Sequence, residues 1–182
     1  FENIDLEGLV ENKGILYIWD KTNLKSRELE INMRNELGVE QQVLTQKEIH
    51  DLEPNIKKFY HGGVFYSYAR HARDPKKILL KLFDLFLQKG GKFLKINVKD
   101  IDFDEEKPVL RSEAQRFVFD KLVIACGAFS KKLTDQLHES VPLDTERGYH
   151  VHFKGFDHLI SRPVVYSNRG FGMTPMDQGL RV

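Results

Sequence analysis

The stretch Asp120–Leu133 constrains the fold of this chain most, because its sequence DKLVIACGAFSKKL combines strand, turn and helix signals. The apolar run Leu122–Ala125 predicts a buried strand, Gly127 a tight turn, and the residues from Ser130 a short helix. Such corners occur in α/β proteins where a nucleotide lies at the carboxyl end of a strand. The sequence contains neither G-x-G-x-x-G nor G-x-x-x-x-G-K-[ST], the loops that normally hold the phosphates.

The two ends of the sequence predict an interior segment of a larger protein. Residue 1 is Phe rather than Met, and Gly179–Val182 resembles a strand with no polar tail after it. Natural termini usually end in polar, poorly ordered sequence. The alternative is a chain trimmed to its ordered part.

Composition and charge narrow the class of protein. Apolar residues make up 41% and charged residues 30% of the sequence, which is typical of a folded globular protein. The 28 basic and 27 acidic residues nearly cancel, so the charge balance indicates neither a nucleic-acid partner nor a membrane surface. The single cysteine, Cys126, excludes an internal disulfide and predicts a buried, unreactive thiol in a reducing, cytoplasmic compartment.

Local signals predict an α+β fold with a mixed, largely antiparallel sheet. The clearest are the capping box Thr45–Glu48 and the helix start Asp74–Pro75. In chain order, the predicted elements are strand 14–19, helix 22–37, a short helix from 45 that ends before residue 54, strand 64–68, helix 75–90, strands within 93–103, strands at 117–119 and 122–125, helix 130–137, and strands at 147–153, 163–167, near 171–173 and at 180–182. The apolar positions of 78–87 are predicted to be core.

The pattern changes at Asp74–Pro75 and again near Pro142. This predicts that 75–140 is a separate layer inserted into one domain, which is formed by 1–74 and 141–182. The connection would enter the inserted layer and leave it again, as in two-domain enzymes whose cofactor and substrate domains interleave.

Three groups of polar residues have competing interpretations. Strand alternation over 147–153 places Arg147 and Tyr149 on one face and His150 and His152 on the other. The two histidines could bind a metal, but no Cys or carboxylate stands at ligand spacing, so we predict no metal site. The basic run 70–73 could form the mouth of an anion pocket, although a solvated turn is favoured.

Short motifs occur in a specific order along nearly the whole chain. They are Leu44-Thr45 through Glu53-Pro54, His61-Gly62-Gly63-Val64, Asp74-Pro75, Gly90-Gly91, Val123 through Ser130, Val141-Pro142-Leu143, Glu146 through His150, and Thr174-Pro175-Met176. This order resembles the FAD-dependent D-amino-acid oxidase superfamily, most closely the small subunits of bacterial D-amino-acid dehydrogenases.

The resemblance implies a parent protein whose glycine-rich FAD loop precedes Phe1. It implies that 1–74 and 141–182 form most of a substrate domain and that 75–140 is part of a Rossmann-like FAD-binding domain. Because the glycine loop is not in this sequence, we expect the chain alone to retain little FAD and to be inactive.

The resemblance also implies four residues that contact FAD, namely Val98, Ala125, Gly127 and Ala128. Gly127 has a clear physical reason to be one of them, because a residue without Cβ lets the backbone approach a ligand closely.

The implied reaction is oxidation of the Cα–N bond of a D-amino acid, which yields a 2-oxo acid and ammonia. Alternatives on the same fold are a 2-hydroxy acid or a sarcosine- or glycine-type substrate. An alternative of another class is a flavin-free interaction module or a degenerate remnant. Dehydrogenases of this kind imply a respiratory-chain electron acceptor and a peripheral position at the inner face of the membrane.

The resemblance implies that Arg147 and Tyr149 line the substrate side of the flavin. Oxidases of the superfamily often carry an arginine directly after the proline of the late strand, where it binds the substrate carboxylate. This chain has Met176 at that position. Arg147 is therefore the first candidate for the carboxylate partner and Arg181 the second.

Overall fold

The computed structural model describes residues 4–182, which form two compact units. The first unit extends to Gln88 and resumes at His150–Val182, and the second is Lys89–Tyr149. The predicted fold class, α+β with largely antiparallel sheets, is confirmed. The assignment of 1–74 and 141–182 to a substrate domain and of 75–140 to an FAD-binding domain stays a prediction, and its residues 1–3 lie outside the described part.

The chain contains four α-helices and twelve strands within residues 4–182. In chain order they are β1 Val10–Glu11, β2 Ile15–Trp19, α1 Leu24–Glu36, β3 Gln42–Leu44, α2 Gln46–Leu52, β4 Gly62–Tyr66, β5 His71–Ala72, α3 Pro75–Gln88, β6 Asp100–Asp104, β7 Lys107–Arg111, β8 Arg116–Val118, α4 Ser130–Thr134, β9 His152–Phe153, β10 Val164–Tyr166, β11 Phe171–Met176 and β12 Gly179–Arg181.

A seven-stranded sheet organises the first unit, in the order β3-β4-β2-β10-β11-β12-β9. Only the pair β2–β10 in this sheet is parallel. The strands that follow residue 150 therefore complete a sheet begun by β2, β3 and β4. One face of the sheet packs on the core, which includes the buried residues Leu16, Ile18, Ile49, Tyr60 and Tyr166.

Two predicted helix starts are confirmed by their hydrogen bonds. The Thr45 hydroxyl accepts from the Glu48 amide at 3.3 Å, and the Glu48 carboxylate accepts from the Thr45 amide at 2.8 Å. At α3, an Asp74 carboxylate oxygen accepts from the amides of Lys76 and Lys77, at 2.9 and 3.2 Å. Each contact satisfies amides that have no partner inside the helix.

The helix α3 is amphipathic but contains no buried residue, so the prediction that 78–87 forms core is wrong. Leu79 and Leu80 are exposed, at 65% and 50%, and Phe86 at 46%. Ion pairs join this helix to other parts of the first unit, since Lys77 binds Asp177 at 2.6 Å and Lys81 binds Asp5 at 3.1 Å.

The basic run 70–73 is not a solvated turn. His71 and Ala72 form β5, which pairs with β1 in a two-stranded sheet. Arg73 lies among three carboxylates, with Glu11 at 3.3 Å, Asp157 at 3.6 Å and Asp177 at 3.1 Å. His71, Ala72 and Arg73 are therefore a structural junction of the first unit, whereas Arg70 is exposed and the anion-binding mouth stays an untested alternative.

His71 is a buried histidine whose two ring nitrogens have no hydrogen-bond partner among the described residues. Burial lowers the pKa of His71 below its usual 6.5; Arg73 and Lys13 also lower it, whereas Glu11 raises it. The folded protein thus keeps this ring neutral at a pH where the unfolded chain takes up a proton.

We expect acid to destabilise the protein through His71. The unfolded state binds the proton first, so the free energy of unfolding should fall as the pH drops below 6.5, by up to about 1.4 kcal/mol per pH unit. Urea unfolding at pH 7.5 and pH 5.5 would show a smaller fall for His71→Phe than for the parent. An exposed control, His61→Phe, should fall as the parent does; equal falls in all three proteins would contradict the expectation.

The second unit contains the antiparallel sheet β6-β7-β8, with Ile101 and Val109 buried. The helix α4 continues as a 3-10 turn, Asp135–Leu137, and the Gln136 side chain joins it to the start of β6. Gln136 accepts from the Ile101 amide at 2.9 Å and donates to the Lys99 carbonyl at 3.1 Å.

Two predicted strands of the second unit are not formed, namely 122–125 and the part of 93–103 before Asp100. Neither segment pairs with another strand among residues 4–182, and a strand is defined by its ladder of backbone bonds. Val123 is 84% exposed. Cys126 is exposed as well, so the prediction of a buried thiol is wrong.

Among residues 4–182, no helix is both long enough and apolar enough to cross a membrane.

Candidate functional site

The seven-stranded sheet has an outer face opposite the core, and polar residues lie on this face at its β9 edge. Arg181 on β12 is in register with Thr174 on β11 and with His152 on β9. Leu180, the neighbour of Arg181, belongs to the core. Since side chains alternate along a strand, Arg181, Thr174 and His152 point away from that core.

The same outer face continues across the sheet toward its centre. Gly172 lies two residues before Thr174 on β11 and is in register with Val165 on β10, which is in register with Tyr17 on β2. We call Tyr17, Val165, Gly172, Thr174, Arg181 and His152 the outer-face row.

Arg181 carries the positive charge of this row. Its guanidinium forms no ion pair with a carboxylate among residues 4–182, and its Nη2 lies 3.5 Å from Nδ1 of His150. Arg73 and Arg162, in contrast, each bind carboxylates. An exposed guanidinium without an acidic partner is available to an anion from solution.

Two histidines stand beside this guanidinium. The rings of His150 and His152 are edge to face, with centroids 5.2 Å apart. Nδ1 of His152 is buried without a hydrogen-bond partner in the described structure. Arg181 thus has imidazole rings near it, and its guanidinium can bind a carboxylate through charge-assisted hydrogen bonds.

A metal site is not indicated by this group. No cluster of three or more histidine, cysteine or carboxylate ligands occurs in the part of the chain that the structure describes. Two histidines next to a guanidinium favour an anion over a cation, because the guanidinium is always positively charged.

Arg147 and Tyr149 belong to the second unit and Arg181 to the first. Arg147 and Tyr149 are exposed, Tyr149 at 85%. The predicted strand 147–153 is wrong for most of its length, because only His152–Phe153 forms β9. Residues 147–150 are therefore not in a strand, and strand alternation does not place Arg147 and His150 on opposite faces.

The four implied FAD contacts, Val98, Ala125, Gly127 and Ala128, all lie in the second unit. Gly127 has a φ of 55°, in the left-handed region, and a Cβ built there would meet nothing within 4 Å. Ala125 and Ala128 are exposed, and Val98 is half-buried. An exposed backbone around an open glycine turn fits the close approach of a dinucleotide.

Met176 is buried at the end of β11, at 7% exposure. It therefore contributes packing at the position where the resemblance implies an arginine in related oxidases. Sequence reasoning named Arg181 as the second candidate, considered His152 only as a metal ligand, and did not single out Gly172. The signal for Gly172 was present, since this glycine interrupts the apolar strand Phe171–Met173.

A family model and a curated relative match this chain. A family model described as FAD dependent oxidoreductase matches residues 2–182. A D-amino-acid oxidase of Bradyrhizobium diazoefficiens is 29% identical over 151 residues, which are 82% of this chain and 36% of that protein.

Solved structures show the same fold. Glycine oxidase from Geobacillus kaustophilus superposes with a TM-score of 0.81 at 20% identity, over 96% of this chain and 48% of the oxidase. Glycine oxidase from Bacillus cereus gives 0.75 at 23% identity, over 94% and 47%. The chain thus spans about half the length of these structures, and about a third of the curated relative, whose covered share is 36%.

Proposed function

Because this chain belongs to the family of FAD-dependent oxidoreductases, we propose that the full-length protein oxidises the Cα–N bond of D-amino acids. The observation that carries the proposal is the exposed guanidinium of Arg181, which has no carboxylate partner among residues 4–182 and lies beside His150. An amino-acid substrate supplies the missing carboxylate. The similarity to a D-amino-acid oxidase supports this substrate class.

FAD would supply the redox chemistry, and residues of this chain would bind and orient the substrate. FAD, when bound, accepts the hydride that leaves Cα. In our proposal Arg181 and His150 bind the substrate carboxylate and orient Cα, while the amino group loses a proton. The resulting imine takes up water and releases ammonia and a 2-oxo acid. Orientation of this kind can contribute a large part of the rate.

The residues that would hold FAD are those of the open glycine turn. We propose that the backbone of Ala125, Gly127 and Ala128 lies against the dinucleotide and that Val98 contacts its adenine side. The open space at the Cβ position of Gly127 supports this, because no side chain there keeps a ligand from the backbone.

Two alternatives within the same family remain as second candidates. The fold similarity to glycine oxidases is the observation that favours a glycine- or sarcosine-type amine. A 2-hydroxy acid would present the same carboxylate to Arg181. A flavin-free module has no supporting observation in this structure.

The function is tested on the full-length protein. We expect a flavin absorption spectrum and oxidation of D-amino acids in preference to 2-hydroxy acids, glycine and sarcosine. An electron-acceptor screen with oxygen and a quinone would test for a respiratory acceptor. Faster turnover of a 2-hydroxy acid than of every D-amino acid would contradict the proposed substrate class.

Some finer points stay predictions. We propose a cytoplasmic protein that can associate with the inner face of the membrane, and a segment that retains little FAD and no activity when expressed alone. A stoichiometric flavin spectrum from residues 1–182 alone would contradict the last of these.

Arg181 and Arg147 are the two candidates for the carboxylate partner. Arg147 and Tyr149 are supported by family resemblance only, whereas Arg181 also has the neighbouring histidines. We expect Arg181→Ala to raise KM for an amino acid by about one to two powers of ten, since a charge-assisted contact is lost, and to change kcat less.

The controls separate charge from position. Arg181→Lys should restore part of the affinity, because it keeps the charge but not the two-pronged guanidinium. Arg111→Ala removes an exposed arginine paired with Asp102 and should leave KM unchanged. If Arg147→Ala raises KM and Arg181→Ala does not, the carboxylate binds at Arg147.

A further inference from the structure

Gly172 is a strand glycine with no steric reason among residues 4–182. It lies inside β11, in register with Val165 on β10 and two residues before Thr174, where the pairing of β11 with β12 begins. Its φ lies outside the left-handed region, and a Cβ built on it would lie 3.6 Å from Val165 Cγ2 and 3.7 Å from the Val164 carbonyl, which are ordinary contacts. Backbone conformation and the packing of residues 4–182 would therefore both accept a Cβ at this position.

Other strand glycines of the same sheet have steric reasons. A Cβ on Gly63 would lie 2.7 Å from the Tyr17 carbonyl oxygen, and one on Gly179 would lie 2.2 Å from the Phe153 carbonyl oxygen. A glycine inside a strand is less stable than alanine by about 0.5–1 kcal/mol, because it loses more backbone freedom on folding. Gly172 thus leaves an available stabilisation unused, which suggests that its missing side chain serves a ligand.

The position of Gly172 indicates the chemical class of that ligand. It is exposed on the outer face and lies diagonally across from Arg181, since Arg181 is in register with Thr174 two residues further along β11. Diagonal neighbours in an antiparallel pair are about 7–8 Å apart, which is within reach of a long side chain. A small acid held by the guanidinium therefore has the open position at Gly172 beside it.

We propose that Gly172 is a specificity-determining residue, which leaves space for the substituent on Cα of a carboxylate substrate bound by Arg181. The inference rests on the proposed function and goes further, because it assigns a substrate larger than glycine. The half-buried Val165 borders this space on β10. An apolar neighbour of this kind favours an apolar substituent.

The test measures binding as well as turnover. Calorimetry on the full-length protein gives the affinity for acetate, butyrate and benzoate, with Gly172→Ala, Gly172→Val and Gly172→Phe as variants. We expect Gly172→Val to weaken benzoate binding by about 10–200-fold and acetate binding by less than about threefold, because a pocket contact changes by more than one methylene. KM for a bulky D-amino acid should rise in parallel, while KM for glycine should not.

Val43→Phe is the matched control. Val43 is exposed on β3 and in register with Val64, which is in register with Tyr17, so it lies on the same outer face but at the opposite edge of the sheet. Added bulk there should leave the ranking of the three acids unchanged.

The outcomes separate this inference from the proposed function. If Gly172→Val loses benzoate binding and the parent oxidises no amino acid, the space at Gly172 is supported and the proposed amino-acid oxidation is contradicted. If the parent oxidises D-amino acids but binds the three acids with the same affinities as Gly172→Phe does, only the space at Gly172 is contradicted. If no acid binds, or if Gly172→Ala unfolds the protein, the fold or another ligand accounts for this glycine and the inference is overturned.

Discussion

Replacing Gly179 by alanine should lower the free energy of unfolding by about 3 kcal/mol or more. Two effects add, because Gly179 has a φ of 122° and its Cβ would lie 2.2 Å from the Phe153 carbonyl oxygen. Forcing a side chain into a strained backbone region costs about 1–3 kcal/mol, and overpacking typically costs a similar amount. The obstructing atoms are backbone, which cannot rotate away.

The structural consequence should be loss of the sheet edge. Gly179 starts β12, and Leu180 is in register with Phe153 on β9. Moving the two strands apart would also displace Arg181 from His152. Thermal denaturation should show a fall in Tm of roughly 6–12 °C for a protein of moderate size.

Gly38→Ala is the matched control for the backbone effect alone. Gly38 has a φ of 70°, and its Cβ would meet nothing within 4 Å. This variant should lose about 1–2 kcal/mol, the cost of the left-handed conformation. If Gly179→Ala is no less stable than Gly38→Ala, the close approach of Phe153 does not contribute.

Sequence reasoning located the elements whose signals are local. The capping box at Thr45–Glu48 and the Asp74–Pro75 start were predictable, because the residues that cap a helix lie within one turn of it. The strand β2 was predictable as well, since its apolar run is short and bounded by Gly14. These elements were sufficient for the fold class.

Contacts between distant residues could not be predicted in the same way. Arg73 binds Asp177, which is 104 positions away, and no local pattern marks that pair. The prediction of a solvated turn at 70–73 was wrong for this reason. The strand predicted at 122–125 failed differently: its residues have strand character, but strand formation depends on a neighbour that residues 4–182 do not provide.

The candidate site was predictable only in part. Arg181 was named because a substrate acid needs a cation and Met176 cannot provide one. The proximity of His150 and His152 to Arg181 depends on the pairing of β9 with β12, which the sequence does not specify. The apparent alternation of 147–153 was misleading because periodicity indicates a strand only where a partner strand exists.

Removing the carboxylate of Glu53 should destabilise the protein by about 3–5 kcal/mol. The side chain is 2% exposed; it accepts hydrogen bonds from the Ser161 amide at 3.1 and 3.2 Å and pairs with Arg162 Nε at 2.8 Å. Glu53→Ala leaves the largely buried guanidinium of Arg162 without its anion, and an uncompensated buried charge is costly. The contact also joins the end of α2 to the segment before β10, 109 residues away.

An exposed ion pair provides the control for this variant. Lys47 and Asp51 pair at 2.9 Å with side chains 86% and 58% exposed, so Asp51→Asn should change stability by less than about 1 kcal/mol. Urea unfolding of both variants measures the difference directly.

A double variant distinguishes an unpaired charge from a lost connection. In Glu53→Leu with Arg162→Met, both charges are gone and apolar groups of similar size remain, so much of the lost stability should return. Arg162 also donates to the Lys13 carbonyl at 3.0 Å and lies over the Phe65 ring, and those contacts would not return. If the double variant is as unstable as Glu53→Ala, the hydrogen bonds that join α2 to the segment before β10 contribute the stability, and the buried charge does not.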